Sequence, residues 1–203
     1  MKRFLFGASD QARVVARAMK EAKMELHGVI DQNPNITTFE GMPVAHYFNE
    51  ADFNNGSRLH IAIGDNTNRF KVAQQLKAKF FSVIHPSAVI DATTQIGNGT
   101  AVHAGALINN DVIIGQHCII NTGAVVEHDC EIGDFAHISP NATLTGRIKI
   151  GTGTQVGAGA TVLPGINIGK WAVIGAGAVI LQDVPDGATV VGNPGKIIKI
   201  KDE

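Results

Sequence analysis

Aliphatic residues recur at every sixth position along the second half of this chain. Counting from Ile84 to Ile180 gives 17 successive positions, and each holds Ile, Val or Leu with no insertion between them. These three residue types make up about a quarter of the chain, so an unbroken column of this length is not chance. A second column lies two residues earlier. It is mostly small: Ala88, Thr94, Thr100, Ala106, Cys118, Ala124 and Cys130 are among its members. Glycine often follows the aliphatic residue directly, as at Gly97, Gly115 and Gly133. A six-residue unit has room for one short strand and one tight turn. The aliphatic residue points inward, the small residue lets the chain bend, and glycine tolerates turn geometry. No such unit buries its apolar face alone, so the units must stack into coils.

The first half has a different rhythm. Residues 3–6 (RFLF) read as a strand, followed by a turn over Gly7-Ala8-Ser9-Asp10-Gln11 and a helix over 12–23. A second strand spans 26–30 and ends at Asp31. A third spans 59–63 and ends at Gly64-Asp65-Asn66. A helix over 68–79 follows, and a last strand over 81–84. Strands alternating with helices predict a small parallel α/β unit. The change of rhythm divides the chain into residues 1–83 and 84–203. In an α/β sheet, ligands bind beyond the carboxyl ends of the strands. Ser9, Asp10, Gln11, Asp31, Gln32, Gly64 and Thr67 all fall there and form a candidate substrate pocket. A helix N-terminus after a glycine turn suits phosphate. The full G-x-G-x-x-G fingerprint is absent, so NAD is not implied.

Composition narrows the picture. The formal net charge of -1 gives no field to draw the chain to nucleic acid or anionic lipid. Charged residues are only 17% of 203 and glycines number 23, which fits an aliphatic, turn-rich core and not disorder. No apolar run is long enough for a membrane span or a signal peptide, so a cytoplasmic protein is expected. Two cysteines, both in the small inward column, read as small core residues without a disulfide.

The six-residue pattern over about residues 84–195 resembles the left-handed parallel β-helix of the hexapeptide-repeat acyltransferases, in which three hexapeptides make one triangular coil. Left-handedness is implied by that resemblance alone, since the general rule for parallel crossovers favours the right hand. With the α/β unit in front, the chain is similar to the sugar-nucleotide acetyltransferases of the sialic acid O-acetyltransferase and bacillosamine N-acetyltransferase group. The motifs are FGAS, GVIDQN, AIGDN, NTGAVVEHDCEIGDFAHISP and VVGNPGK. Where relatives usually carry Gly-His-Gly, this chain has Asp10-Gln11-Ala12, which leaves the sugar open. The resemblance implies a homotrimer with acetyl-CoA held between neighbours.

Acetyl transfer to an amine needs a base, and histidine suits that role at neutral pH. Of the eight histidines, His27, His46 and His60 are expected at the surface, and His103 and His117 on a solvated face. His128 stands apart, flanked by carboxylates in Val126-Glu127-His128-Asp129-Cys130. A carboxylate on one ring nitrogen would raise the basicity of the other. The resemblance implies that His128 is the general base and that Asp129 orients it. It also implies that His137, Gly146, Ala158 and Ala176 contact acetyl-CoA. No metal is implied: the paired histidines of the γ-type carbonic anhydrases, which share the fold, are missing, because His128 and His137 are nine apart. The expected reaction is direct N-acetylation of a nucleotide-linked amino sugar of the 4-amino-4,6-dideoxy type. O-acetylation of a sugar hydroxyl and a non-catalytic β-helix binding module stand as alternatives.

Overall fold

In the computed structural model, which describes residues 1–47 and 56–201, the two rhythms become two kinds of β-structure. The N-terminal part holds β1 (Arg3–Phe6), α1 (Asp10–Glu21), β2 (Gly28–Ile30), β3 (Thr38–Phe39), β4 (Met42–Ala45), β5 (Arg58–Ile61) and α2 (Asn66–Gln75). Its sheet order is β3-β4-β2-β1-β5. β2, β1 and β5 run parallel, as the alternation predicts, but β3 and β4 form an antiparallel hairpin, so the sheet is mixed. Gly41, at φ +82, provides the tight turn of that hairpin. The strand expected over 81–84 splits: Phe81 bonds back to Leu59, whereas β6 (Val83–Ile84) pairs forward and begins the repeat.

From β6 to β22 (Val179–Ile180), seventeen two-residue strands wind into a parallel β-helix. Each strand pairs with the one three units on, so Ile108 lies over Val126 and Val126 over Leu144. The strands thereby form three flat faces. The first starts at β7 (Val89–Ile90), the second at β8 (Gln95–Ile96), and the third at β6. The third is extended by β23 (Ala188–Val191) and the antiparallel β24 (Lys196–Ile200). From Val102 onward the aliphatic column is buried at 3% exposure or less and forms one continuous core. Ile84 is 39% exposed because the first coil has no neighbour on its outer side. Cys118 and Cys130 are buried and unpaired, and burial pushes the Cys118 thiol up to about 12.

Glycine has two roles, and the sequence implies only the first: Gly99 and Gly153, among others, take the left-handed corner conformation. The left-handed residue of each corner comes three positions after the aliphatic, at sites such as Asp111, His117, Asp129 and Phe135, and need not be glycine. Glycine directly after the aliphatic serves close approach instead. A Cβ at Gly133 would stand 2.7 Å from the amide nitrogen of Thr152 in the next coil.

The N-terminal part docks on the third face. Val83 and Ala101 share a core with Leu5, Val15 and Met19. α2 covers the corner between the second and third faces. There Phe70 meets Phe135 and Trp171 edge-on at 5.2 and 5.6 Å, and His117 stacks on Phe135 at 5.0 Å. Among the described residues no helix is long and apolar enough to cross a membrane.

Candidate active site

His128 and Asp129 occupy the corner between the first and second faces, just after Val125–Val126. Asp129 takes the left-handed conformation (φ 58), which aspartate tolerates better than most residues. That bend turns its carboxylate back onto the preceding ring, and His128 Nδ1–H donates to Asp129 Oδ2 at 2.7 Å. The main chain on either side is fixed: Asp129 N–H donates to Asn110 C=O, and His128 C=O accepts from Arg147 N–H in the next coil. With Nδ1 bearing the proton, Nε2 of the neutral ring is left with its lone pair. The His128 side chain is 38% exposed, so that nitrogen can be reached.

Gly146, at φ +109, lies directly beneath the ring. A Cβ there would stand 3.0 Å from His128 Nε2, so the missing side chain leaves the base its seat. On the first face beside it, a hollow of about 210 Å3 is lined by Leu107, Ile108, Val126 and Glu127, with Asn109 donating to Glu127 at 2.8 Å. A larger groove of about 390 Å3 follows the second face, but its charged groups are the exposed pair Glu131–Lys149 with Asp134, Lys170 and Asp186, and it contains no histidine. His128 lines neither hollow; the smaller one includes Glu127, the residue that precedes it in the chain.

His137 sits elsewhere, on the third face in β15 (His137–Ile138). Its Nε2 accepts from the Asn121 amide at 2.9 Å, and burial, with Arg69 and His103 adding repulsion, lowers its pKa to about 4. Ala158 and Ala176 stack one coil apart at the corner between the third and first faces, both exposed. The structure thus brings Gly146 to His128 and Asp129, but places His137, Ala158 and Ala176 on other sides of the same coil stack.

The three loops expected to form the substrate pocket do meet, because β2, β1 and β5 are adjacent and parallel. Asp31 ties two of them together: its carboxylate accepts from Ala8 N–H and Asn33 N–H, each at 2.8 Å. Ser9 caps α1 without a side-chain bond, and Asp10 pairs with Arg13 at 3.1 Å. Gln32 and Thr67 are exposed. The Gly64 carbonyl accepts from Arg69. Gln11 reaches across to the β-helix, where its amide donates to His103 Nε2 at 3.1 Å.

Three histidines contradict their expected exposure. His60 is 2% exposed, bonded to the Phe81 carbonyl, and burial lowers its pKa to about 3. His103 and His117, expected on a solvated face, are 1% and 4% exposed, with burial lowering each to about 4. The docked N-terminal part covers them, which a repeat read in isolation does not reveal. Asn66 and Arg69 also escaped the sequence reading. The signal was the column Gly99, His117, Phe135, Gly153, Trp171, which repeats at the coil period and is too aromatic for an open corner.

Two family models match the chain. The model described as "PglD N-terminal domain" covers residues 2–76, and "Bacterial transferase hexapeptide (six repeats)" covers 111–146 and 147–182. No curated protein matches. Among solved structures, PerB from Caulobacter crescentus, in complex with CoA and GDP-perosamine, is 35% identical over 98% of both chains, with a TM-score of 0.90. The acetyltransferase domain of PglB from Neisseria gonorrhoeae, in complex with acetyl coenzyme A, is 32% identical over 97% of this chain and 98% of that one, with a TM-score of 0.86. WeeI from Acinetobacter baumannii is 29% identical over 98% of this chain and 100% of that one, with a TM-score of 0.87. Fold, repeat and N-terminal unit agree along nearly the whole length, and the chain belongs to the left-handed β-helix, hexapeptide-repeat family of sugar-nucleotide acetyltransferases.

Proposed function

We propose that the chain transfers the acetyl group of acetyl-CoA to the amino group of a nucleotide-linked amino sugar of the 4-amino-4,6-dideoxy type. The observation that carries this is the His128–Asp129 pair seated over Gly146, within a family whose member PerB is seen with CoA and GDP-perosamine. The amine nitrogen attacks the thioester carbonyl and His128 Nε2 takes its proton. The carbon–sulfur bond then breaks, and His128 returns that proton to the departing CoA sulfur. Asp129 steadies the imidazolium that forms. No acyl-enzyme is needed.

Residues 1–83 serve the nucleotide sugar, through Ser9, Asp10, Gln11, Asp31, Gln32, Gly64 and Thr67. Residues 84–203 serve the transfer, with His137, Gly146, Ala158 and Ala176 along the acetyl-CoA path. The placement of these groups favours a homotrimer. One face separates His128 from the corner that carries Ala158, a span of six residues or roughly 15–20 Å. Side-by-side packing would bring one copy's His128 to the next copy's third face and exclude water there. The cytoplasm is the expected compartment.

The test is mass spectrometry of products formed from acetyl-CoA and a panel of UDP-, dTDP- and GDP-linked sugars, with and without the 4-amino group. Amide products from the amino sugars are expected. Acetylation of the hydroxyl analogues alone establishes the O-acetyl reading instead, and no transfer at all with bound acetyl-CoA leaves a binding module. Sedimentation that finds a stable, fully active monomer removes the trimer.

A further inference from the structure

The left-handed residue of each β-helix corner leaves its carbonyl without a main-chain donor from the next coil. Where a corner faces solvent, water meets that need. The corner between the second and third faces is covered by α2, and two side chains from its first turns take over. Arg69 Nε donates to the His117 carbonyl and Nη2 to the Phe135 carbonyl, both at 2.8 Å. Asn66 donates to the Gly153 carbonyl one coil further on, at 3.0 Å. The remaining Arg69 donors turn toward its own loop: Nη1 donates to the Ile63 and Gly64 carbonyls at 2.9 and 3.0 Å, and Nη2 to Asn66 Oδ1 at 2.7 Å. Arg69 is 1% exposed, and among the described residues its guanidinium bonds to no carboxylate; the bonds go to carbonyl-type oxygens.

The two coil carbonyls it holds are one full turn apart, and His128 lies within that turn. We propose that Arg69 is a positioning residue for acetyl transfer, a spacer that holds the Gly64–Thr67 loop level with the coil carrying His128. This rests on the reading above, in which that loop binds the nucleotide sugar. Coils rise by about 4.8 Å each, so a slip of even a fraction of one coil misplaces the amine along the β-helix axis. If copies pack side by side, the same level serves a neighbour's His128. Lysine cannot replace the arginine, because three donors on one nitrogen do not span both coils and the loop at once.

The experiment is Arg69→Lys in the full chain, with the acceptor found active above. Steady-state constants are measured together with equilibrium binding of CoA alone and of the nucleoside diphosphate alone. Both half-sites should bind within threefold of the unaltered protein, while kcat falls by roughly 30- to 100-fold, the scale of a misplacement near 1 Å. In Arg69→Ala, millimolar guanidinium should restore part of kcat where equimolar ammonium does not. Unchanged kcat overturns the proposal. So does a parallel loss of both affinities with a lowered Tm, which marks a general fold defect. Should Arg69→Lys not fold, Asn66→Ala carries the test: roughly a tenfold loss in kcat with both affinities kept is expected, and retained kcat refutes. An unaltered protein that acetylates no nucleotide amino sugar removes the functional reading first, and is told apart by that.

Discussion

Gly146→Ala separates two roles for one residue. Sequence resemblance assigns Gly146 to the acetyl-CoA path, whereas the structure places it beneath His128. The backbone at φ +109 lies outside the regions that L-residues favour, and such strain costs about 1–3 kcal/mol. For a chain of this size each kcal/mol lowers Tm by about 2–4 °C, so a fall between about 2 and 12 °C is expected. The new Cβ would also lie 3.0 Å from Nε2 and 3.2 Å from Cε1 of His128. The ring must then give by a few tenths of an ångström, which strains the 2.7 Å bond to Asp129. That shift is a fraction of the displacement of about 1 Å that costs on the order of 10²-fold, so kcat should fall by roughly tenfold. Acetyl-CoA affinity should change little. Steady-state kinetics and a thermal melt on the same preparation report all three quantities. If Gly146 only lets the coenzyme approach the wall, the pattern reverses: KM for acetyl-CoA rises and kcat stays within threefold. That outcome would falsify the seating argument.

Other substitutions test the remaining parts. His128→Ala should lower kcat by roughly 10²–10⁴-fold with acetyl-CoA affinity kept, and Asp129→Asn by less; a folded His128→Ala enzyme within threefold of normal would exclude His128 as the base and turn attention to His137. Asp31→Ala frees the Ala8 and Asn33 amides and should raise KM for the nucleotide sugar roughly tenfold, the worth of a charged hydrogen bond, with acetyl-CoA KM unmoved. Equal rises in both constants would count against a nucleotide site at these loops. Acid should loosen the docked N-terminal part. His60, His103, His117 and His137 have pKa values lowered from 6.5 to about 3 or 4, so the unfolded chain takes up their protons first. Their neutral burial is fully tolerated above pH 6.5, and stability is lost as pH falls from there toward about 4. A Tm that stays flat over that interval would contradict the burial of these rings.

The sequence alone determined the repeat, because its cause is local. A six-residue unit must put its aliphatic residue inward wherever it stands, so the column from Ile84 to Ile180 announces stacked coils without any long-range knowledge. The same holds for the His128–Asp129 pair, whose partners are adjacent and whose bond is made by one left-handed residue. The three parallel strands with their loops at one edge were legible for a similar reason, since strand–turn–helix order carries its own topology. Four features were not legible: the antiparallel hairpin, the burial of His60, His103 and His117, the grip of Arg69 on two coils, and the seat that Gly146 gives to His128. The hairpin is local, with Phe39 opposite Met42, and was missed because its strands are only two and four residues long; the other three depend on residues far apart in the chain, 48 positions between Arg69 and His117 and 18 between His128 and Gly146. Periodicity says that coils stack, but not which corner a second unit will cover. Only the packed structure decides where a buried carbonyl needs a donor, and therefore which distant side chain must supply it.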